Sequence, residues 1–186
     1  MFGFVTKLIV NKQLSFEEGS IRLYNQNILM FPVYAMADTL KELERNKSEN
    51  LLYYSFKELG IKWTKILEKQ YKIKKEEIFF DAGAKIISMA GWGIVKVLDA
   101  DPEKHIVKFK FENSSIAKAY GKSNHPVCHM FRGMAAGSMC VTYKDNLDAI
   151  ETKCKAMGFP ACEIIVKPTK NFKFSEPIIK KQLKKL

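Results

Sequence analysis

Three cysteines and one glutamate stand out in this chain because their side chains are good metal ligands. Glu151 follows Cys128 by 23 residues, and the run E-T-K-C then places Cys154 three residues after the glutamate. Cys162 comes eight residues later. Three thiolates and one carboxylate can fill the shell of a tetrahedral zinc ion. Because four protein ligands close such a site, this spacing indicates a structural ion rather than a catalytic one.

Two of these cysteines flank a predicted turn. The tripeptide Gly-Phe-Pro at 158–160 has the composition of a turn and lies between Cys154 and Cys162. If strands flank it, roughly Leu147 to Ala156 and Cys162 to Val166, the two cysteines face each other across a hairpin. Directly opposed Cβ atoms are about 4.5–5.5 Å apart. That separation suits two sulfurs on one ion, and it also suits a disulfide.

The fourth ligand is less certain from spacing than the three cysteines. Residues 151 and 154 would lie on opposite faces of a regular strand, so both can bind one ion only if the backbone is irregular. We therefore predict a bulge near Thr152-Lys153. The local competitors for the fourth position are His125, His129 and Glu163. Buried free thiols or a Cys154–Cys162 disulfide are alternatives to a metal site.

The remaining cysteine is excluded by helix geometry. Asn124-His125-Pro126 predicts a helix start, and the helix continues from Val127 to about Cys140. Cys128 would then lie in the first turn, where the helix dipole favours a thiolate. Cys140 would lie about 18 Å further along and about 120° around the axis. Small residues form a stripe on this helix and predict close packing against a neighbour: Gly133, Ala136, Gly137 and Cys140.

The pattern along the rest of the chain predicts an α+β fold, an antiparallel sheet with helices packed on one side. Strands are expected at Phe2 to Val10, Ser20 to Tyr24, Ile94 to Leu98 and Ile106 to Phe111. Helices are expected at Pro32 to Arg45, Leu51 to Tyr71, Glu76 to Ala90 and Ile116 to Tyr120. We expect an N-terminal β-hairpin region (1–30), one ligand-binding-type domain (31–170) and a basic C-terminal tail (171–186).

Composition is that of a globular protein, with 47% hydrophobic residues among 186. No apolar run approaches the roughly 18 residues that span a bilayer, and the first residues lack signal-peptide order. We therefore expect a cytoplasmic protein, where clustered cysteines more often bind metal than form disulfides.

Basic charge is concentrated at the C-terminal end. The net charge is +11, and residues 167–186 hold seven lysines against one glutamate, a net charge of +6. Ile178, Ile179, Leu183 and Leu186 form an apolar edge on a predicted short basic helix. Such a tail can dock an acidic partner or nucleic acid, and a solvated lysine-rich end is the alternative.

The stretch from Gly91 to Val166 resembles the vinyl-four-reductase (4-vinyl reductase) domain family, also called hydrocarbon-binding domains. The matching motifs are G-W-G-I-V (91–95), E-N-S-S (112–115), H-P-V-C-H-M-F-R-G (125–133), E-T-K-C (151–154) and G-F-P-A-C-E (158–163). The last three are the most specific. The resemblance implies a structural zinc held by Cys128, Glu151, Cys154 and Cys162, a homodimer, and a small apolar or aromatic effector between sheet and helices. With no ATPase or DNA-binding segment in the sequence, we expect a stand-alone archaeal member.

A ligand cavity needs an apolar wall and few polar anchors. The candidate lining residues are Met89, Trp92, Phe109, Phe111, His129, Met130, Phe131 and Met134, and ordinary core packing is the alternative for each. No Ser-His-Asp set, phosphate-binding glycine loop or dinucleotide fingerprint is present, so we expect no catalysis. The sequence thus favours a zinc-containing sensor or carrier of a hydrophobic molecule. The alternatives are an interaction module with a basic docking tail and an accessory protein of tetrapyrrole or aromatic metabolism.

Overall fold

The computed structural model describes residues 2–71 and 82–183. It contains a three-stranded and a four-stranded antiparallel sheet with helices, which confirms the predicted α+β class. None of the described helices is both long and apolar enough to cross a bilayer.

The first element is a helix, α1 (Phe2–Val10), where the sequence predicted a strand. β-branched and aromatic residues in this segment favour a strand by propensity. Tertiary packing overrides that preference: Leu8 is buried, and Phe4 and Val5 pack against the same cluster from positions one helical turn away. The prediction was wrong because propensity is a weaker determinant than the face that can be buried.

A meander follows, with β1 (Leu14–Glu17), β2 (Ser20–Leu23) and β3 (Gln26–Ile28) paired in that order. This confirms the predicted N-terminal hairpin or meander. The meander and α1 enclose a small apolar cluster with the end of the long helix, made by Leu8, Leu14, Leu23, Tyr24, Leu67 and Ile86.

Three helices come next: α2 (Val33–Arg45), α3 (Asn50–Tyr71) and α4 (Ala84–Met89). The first two confirm the predicted helices. Of the third predicted helix, Glu76 to Ala90, the part from 76 to 81 lies outside the described residues, and α4 matches the remainder.

The larger sheet has the order β4-β5-β7-β6, from β4 (Ile94–Asp101), β5 (Ile106–Glu112), β6 (Leu147–Lys153) and β7 (Cys162–Pro168). Along β5, Val107, Phe109 and Phe111 are buried while Lys108 is exposed, as the alternation predicted. One face of the sheet therefore meets the helices and the other faces outward.

Two helices connect the strands of this sheet: α5 (Ser115–Tyr120) and α6 (His129–Tyr143). α6 packs against α3 so closely that a Cβ on Gly133 would collide with the carbonyl oxygen of Tyr53, and one on Gly137 with that of Lys57. The predicted small-residue stripe thus does bring a neighbouring helix near. The stacked rings of Phe111 and Phe131, 4.1 Å apart between centroids, join sheet to helix.

The chain ends in a short helix, α7 (Pro177–Gln182). Ile179 and Leu183 are each 2% exposed and belong to the main core, whereas Ile178 is 43% exposed. The C-terminal segment therefore packs onto the domain through one apolar edge, and its lysines Lys180 and Lys181 stay at the surface.

Candidate metal centre

Cys128, Glu151, Cys154 and Cys162 lie together in the interior. One ligand atom from each falls within 4.8 Å of all the others, and all four residues are buried. Among the described residues this is the group of histidine, cysteine and acidic side chains that could hold a metal ion.

Cys128 occupies the position before α6 rather than its first turn. The helix begins at His129, and the Cys128 carbonyl accepts the Arg132 N–H at 2.9 Å, so Cys128 is the N-cap residue. The helix starts later than predicted because the backbone of Cys128 is not helical and its N–H is used elsewhere. That N–H donates to Oε2 of Glu151 at 3.0 Å.

A backbone irregularity lies where the ligand spacing required one. In the β6–β7 pairing, Glu151 is opposite Ile164 and Lys153 is opposite Glu163, so Thr152 has no partner in the register. The extra residue changes the side-chain parity of the strand after Glu151. This confirms the predicted bulge and explains how Glu151 and Cys154 reach one point.

The hairpin around Cys154 and Cys162 is less regular than predicted. β6 ends at Lys153, and a 3-10 turn (Lys155–Met157) follows, with Gly158 in the left-handed region at φ +95°. Cys154 is therefore not a strand residue opposite Cys162. The turn still brings them together, because the Lys155 N–H donates to the Cys162 sulfur at 3.3 Å.

The cysteines are free thiols, so the disulfide alternative is not realised. The sulfurs of Cys128 and Cys162 are 3.6 Å apart, far longer than an S–S bond of about 2.05 Å. Cys140 is half-buried at the other end of α6, where its sulfur accepts the Leu147 N–H at 3.3 Å. It is not part of the ligand group, as helix geometry predicted.

The protonation of the group is that of a site built for a cation. Hydrogen bonds from the thiols of Cys128 and Cys162 hold the pKa of Cys154 well below its usual range. Burial raises the pKa of Glu151 to about 8, and the negative charge of Cys154 adds to that shift. Oε1 of Glu151 is buried and has no hydrogen-bond partner among the described residues. An unpaired carboxylate oxygen beside three sulfurs fits a metal ion, which would replace the shared protons.

The competing ligands point to other partners. His125 contacts Oε1 of Glu44 through Nε2 at 3.0 Å, and Glu163 pairs with Lys153 at 3.0 Å. His129 is buried, with Nδ1 3.2 Å from the Arg132 guanidinium and Nε2 3.8 Å from Glu44. Their spacing matched a metal site, but their side chains lie outside the ligand group.

The predicted pocket residues lie mostly in the main core. Phe109, Phe111, Met130 and Phe131 are buried there, and Trp92 and Met134 pack against it while partly exposed. Trp92 lies 5.7 Å from the Phe56 ring, between centroids. Met89 instead packs against the N-terminal cluster.

Two polar groupings escaped prediction from the sequence. Glu44 accepts hydrogen bonds from Tyr120 and His125, linking α2 to the segment before Cys128. Gln182 bonds to the backbone of Glu151. No spacing signal could have found them, since 76 residues separate Glu44 from Tyr120 and 31 separate Glu151 from Gln182.

Comparison with known proteins gives a consistent family. The family model of the vinyl-4-reductase domain matches residues 107–168. The phenol regulator MopR of Acinetobacter guillouiae is 24% identical over 176 residues, covering 90% of this chain, although the chain spans only 31% of the length of MopR.

Two solved structures share the fold. The phenol-responsive sensory domain of the transcription activator PoxR, solved with phenol, has a TM-score of 0.77 at 20% identity over 95% of both chains. A vinyl-4-reductase family protein from Methanocaldococcus jannaschii has a TM-score of 0.52 at 20% identity, over 89% of this chain and 93% of that one. The matched segment 107–168, which supplies all four clustered ligands, belongs to the vinyl-4-reductase domain family.

Proposed function

We propose that this chain is a non-catalytic sensor domain that binds a small hydrophobic or aromatic molecule and is stabilised by a structural zinc ion. The observation that carries the sensing role is the likeness in fold to the phenol-responsive domain of PoxR, which extends over 95% of both chains. MopR, a phenol regulator, supports the same class of ligand.

Zinc is supported by the chemistry of the ligands. Thiolates are soft ligands that favour zinc over calcium or magnesium, and four protein ligands leave no open position for a substrate. Cys128 precedes α6, Glu151 lies on β6, and Cys154 and Cys162 flank the last hairpin. A bound ion would therefore fasten the start of α6 to the two outer strands and would add stability.

The effector would lie among the apolar side chains between α6, α3 and the sheet. Trp92, Phe109, Phe111, Met130, Phe131 and Met134 belong to or pack against that core, and His129 offers a buried Nε2 without a hydrogen-bond partner among the described residues. Such a wall with one polar anchor suits a phenol-sized molecule. Met89, in the N-terminal cluster, is the one predicted lining residue that we leave out.

Native mass spectrometry of the purified chain, followed by a thermal-shift panel, tests both parts. We expect one zinc ion per chain and a rise in Tm with phenol or benzene, but not with charged benzoate. A metal-free protein would contradict the zinc assignment. A zinc-loaded protein whose Tm no uncharged aromatic or alkane raises would contradict the sensing role.

A homodimer is part of the proposal. Leu29, Met30, Phe31 and Tyr34 form an exposed apolar run, with Leu29 87% exposed and Met30 76% exposed. Contiguous exposed apolar residues of this kind are typical of interaction surfaces. Light scattering of the wild type and of Met30→Lys measures this: we expect a dimer for the first and a monomer for the second, and a monomeric wild type contradicts it.

The second candidate function is an interaction module. It is favoured by the lysines left at the surface of α7, where Lys180 and Lys181 are exposed beside Lys173. These residues could dock an acidic partner or nucleic acid. Binding to heparin or DNA that is unchanged in Lys180→Glu/Lys181→Glu would contradict this role. Cytoplasmic localisation stays a prediction of the sequence.

A further inference from the structure

The C-terminal helix meets the candidate metal centre through one side chain. The amide of Gln182 accepts the Glu151 N–H at 2.8 Å through Oε1 and donates through Nε2 to the Glu151 carbonyl at 2.9 Å. β6 is an edge strand, so its outer N–H and C=O groups have no neighbouring strand. The amide supplies the same donor and acceptor that an antiparallel partner would present.

A buried arginine holds the same helix from the other side. One guanidinium nitrogen of Arg132 donates to the carbonyl oxygens of Ala149 and Gln182, both at 2.8 Å. Arg132 is 1% exposed and lies 4.0 Å from the centre of the Tyr53 ring. It thus joins α6, β6 and α7 at a position two residues from Glu151.

Apolar contacts complete the attachment. Ile179 and Leu183 are buried in the main core, Gln182 is 3% exposed, and the Tyr54 hydroxyl donates to the Leu183 carbonyl at 3.3 Å. These contacts come from α3, α6 and β6 together. The attachment of α7 is therefore a specific packing arrangement and not a loosely resting end.

We propose that Gln182 is a positioning residue for the metal ligand Glu151, and that retention of the metal ion is coupled to docking of the C-terminal helix. The inference rests on the metal site proposed above. Glu151 stands where β6 departs from regular pairing with β7, because Thr152 is bulged. The Gln182 amide holds the backbone of Glu151 from the open side of the strand, which fixes the direction of its carboxylate.

Coupling of this kind acts in both directions. If docking of α7 strengthens metal binding by some factor, metal binding strengthens docking by the same factor. The chain thus links the occupancy of a buried site to the position of its basic C-terminal segment. That segment would be more exposed in the metal-free protein.

The first test is Gln182→Leu, which keeps the apolar contacts and removes both hydrogen bonds. We expect zinc transfer to a chromogenic chelator to be about tenfold faster than in the wild type, as for other residues that orient metal ligands. We also expect altered visible absorption of the cobalt-substituted protein, since its bands report ligand geometry. Leu14→Ala, in the N-terminal cluster, is the control: it lowers stability without touching the centre and leaves both measurements unchanged.

The second test is hydrogen exchange of α7 in the wild type, zinc-loaded and after chelation. We expect its amides to exchange faster in the metal-free protein. If the wild type binds no metal, the metal site itself is refuted. If the wild type binds zinc but Gln182→Leu releases it at the same rate with an unchanged cobalt spectrum, only the positioning role is refuted. Identical exchange of α7 in both forms would overturn the coupling.

Discussion

The N–H of Cys128 donates a 3.0 Å hydrogen bond to Oε2 of Glu151, so one candidate ligand orients another without help from an ion. The second carboxylate oxygen, Oε1, has no partner among the described residues. Glu151 is therefore arranged to bind a metal through one oxygen while the other holds the backbone before α6. Removing this carboxylate would disturb both the ligand set and the loop that carries Cys128.

Cys154→Ser should abolish stoichiometric zinc binding, because serine offers no thiolate and three ligands no longer close the shell. We expect the free energy of unfolding to fall by about 3 kcal/mol or more, the stabilisation that tight ligand binding supplies. Elemental analysis and urea unfolding measure the two effects. Cys140→Ser, outside the group, should keep one zinc per chain, and loss of zinc in both variants would contradict the assignment.

Deletion of Thr152 should remove zinc binding even though no ligand is changed. The bulge supplies the extra residue that sets the side-chain parity after Glu151, and a one-residue shift in a strand turns the following side chains to the opposite face. Zinc content after purification is the measurement. The matched control is Thr152→Ala, which keeps the chain length, loses only an exposed hydrogen bond to the Glu163 carbonyl, and should retain zinc.

Glu44→Gln should destabilise the protein in a pH-dependent way. Burial opposes the charge of Glu44, but hydrogen bonds from His125, His129 and Tyr120 outweigh it and lower its pKa well below 4.5. The stabilisation from the charged carboxylate is therefore fully present above about pH 4.5 and is lost as the pH falls through the lower folded-state value.

We expect Glu44→Gln to cost about 1–3 kcal/mol at pH 7, the range for hydrogen bonds to a charged group, and progressively less in strong acid. Denaturant unfolding from pH 7 to pH 2 measures this. Glu42→Gln is the control, because Glu42 pairs only with Arg45 and Asn46 side chains at the surface of α2 among the described residues. A constant difference across the whole range would show that the charge of Glu44 is not responsible.

Gly137→Ala should weaken the contact between α6 and α3. The added Cβ would overlap the carbonyl oxygen of Lys57, a backbone atom that cannot turn aside. Overpacking of this type costs about 1–3 kcal/mol and should appear as a lower Tm. Gly3→Ala is the opposite control: it lies in α1 with open space around it, so alanine should be neutral or stabilising by up to about 1 kcal/mol.

The metal centre was the most predictable part of the molecule from the sequence. Its ligands all lie within 35 residues, and simple parity showed that Glu151 and Cys154 needed a bulge between them. The spacing of small residues likewise predicted that α6 would approach a neighbour closely. Local geometry was sufficient for these predictions because each depends on a strand or helix period and on residues near in sequence.

Propensity misled at Phe2–Val10, where β-branched residues form a helix because Leu8 and its neighbours find a shared cluster with Leu67 and Ile86. The start of α6 was also misplaced, since the N–H of Cys128 bonds to a side chain 23 residues away. In both cases a contact distant in sequence decided the local structure.

By itself the sequence determined the chemistry of this protein: three thiols and a carboxylate at spacings that fit one ion, and an apolar interior of phenyl rings and methionines. The tertiary structure alone decided which residues hold those groups in place. Gln182 on the Glu151 backbone, Arg132 between α6 and α7, and Glu44 beside His125 join residues far apart in the chain. Such contacts depend on the packing of whole helices and strands, and no local period encodes them.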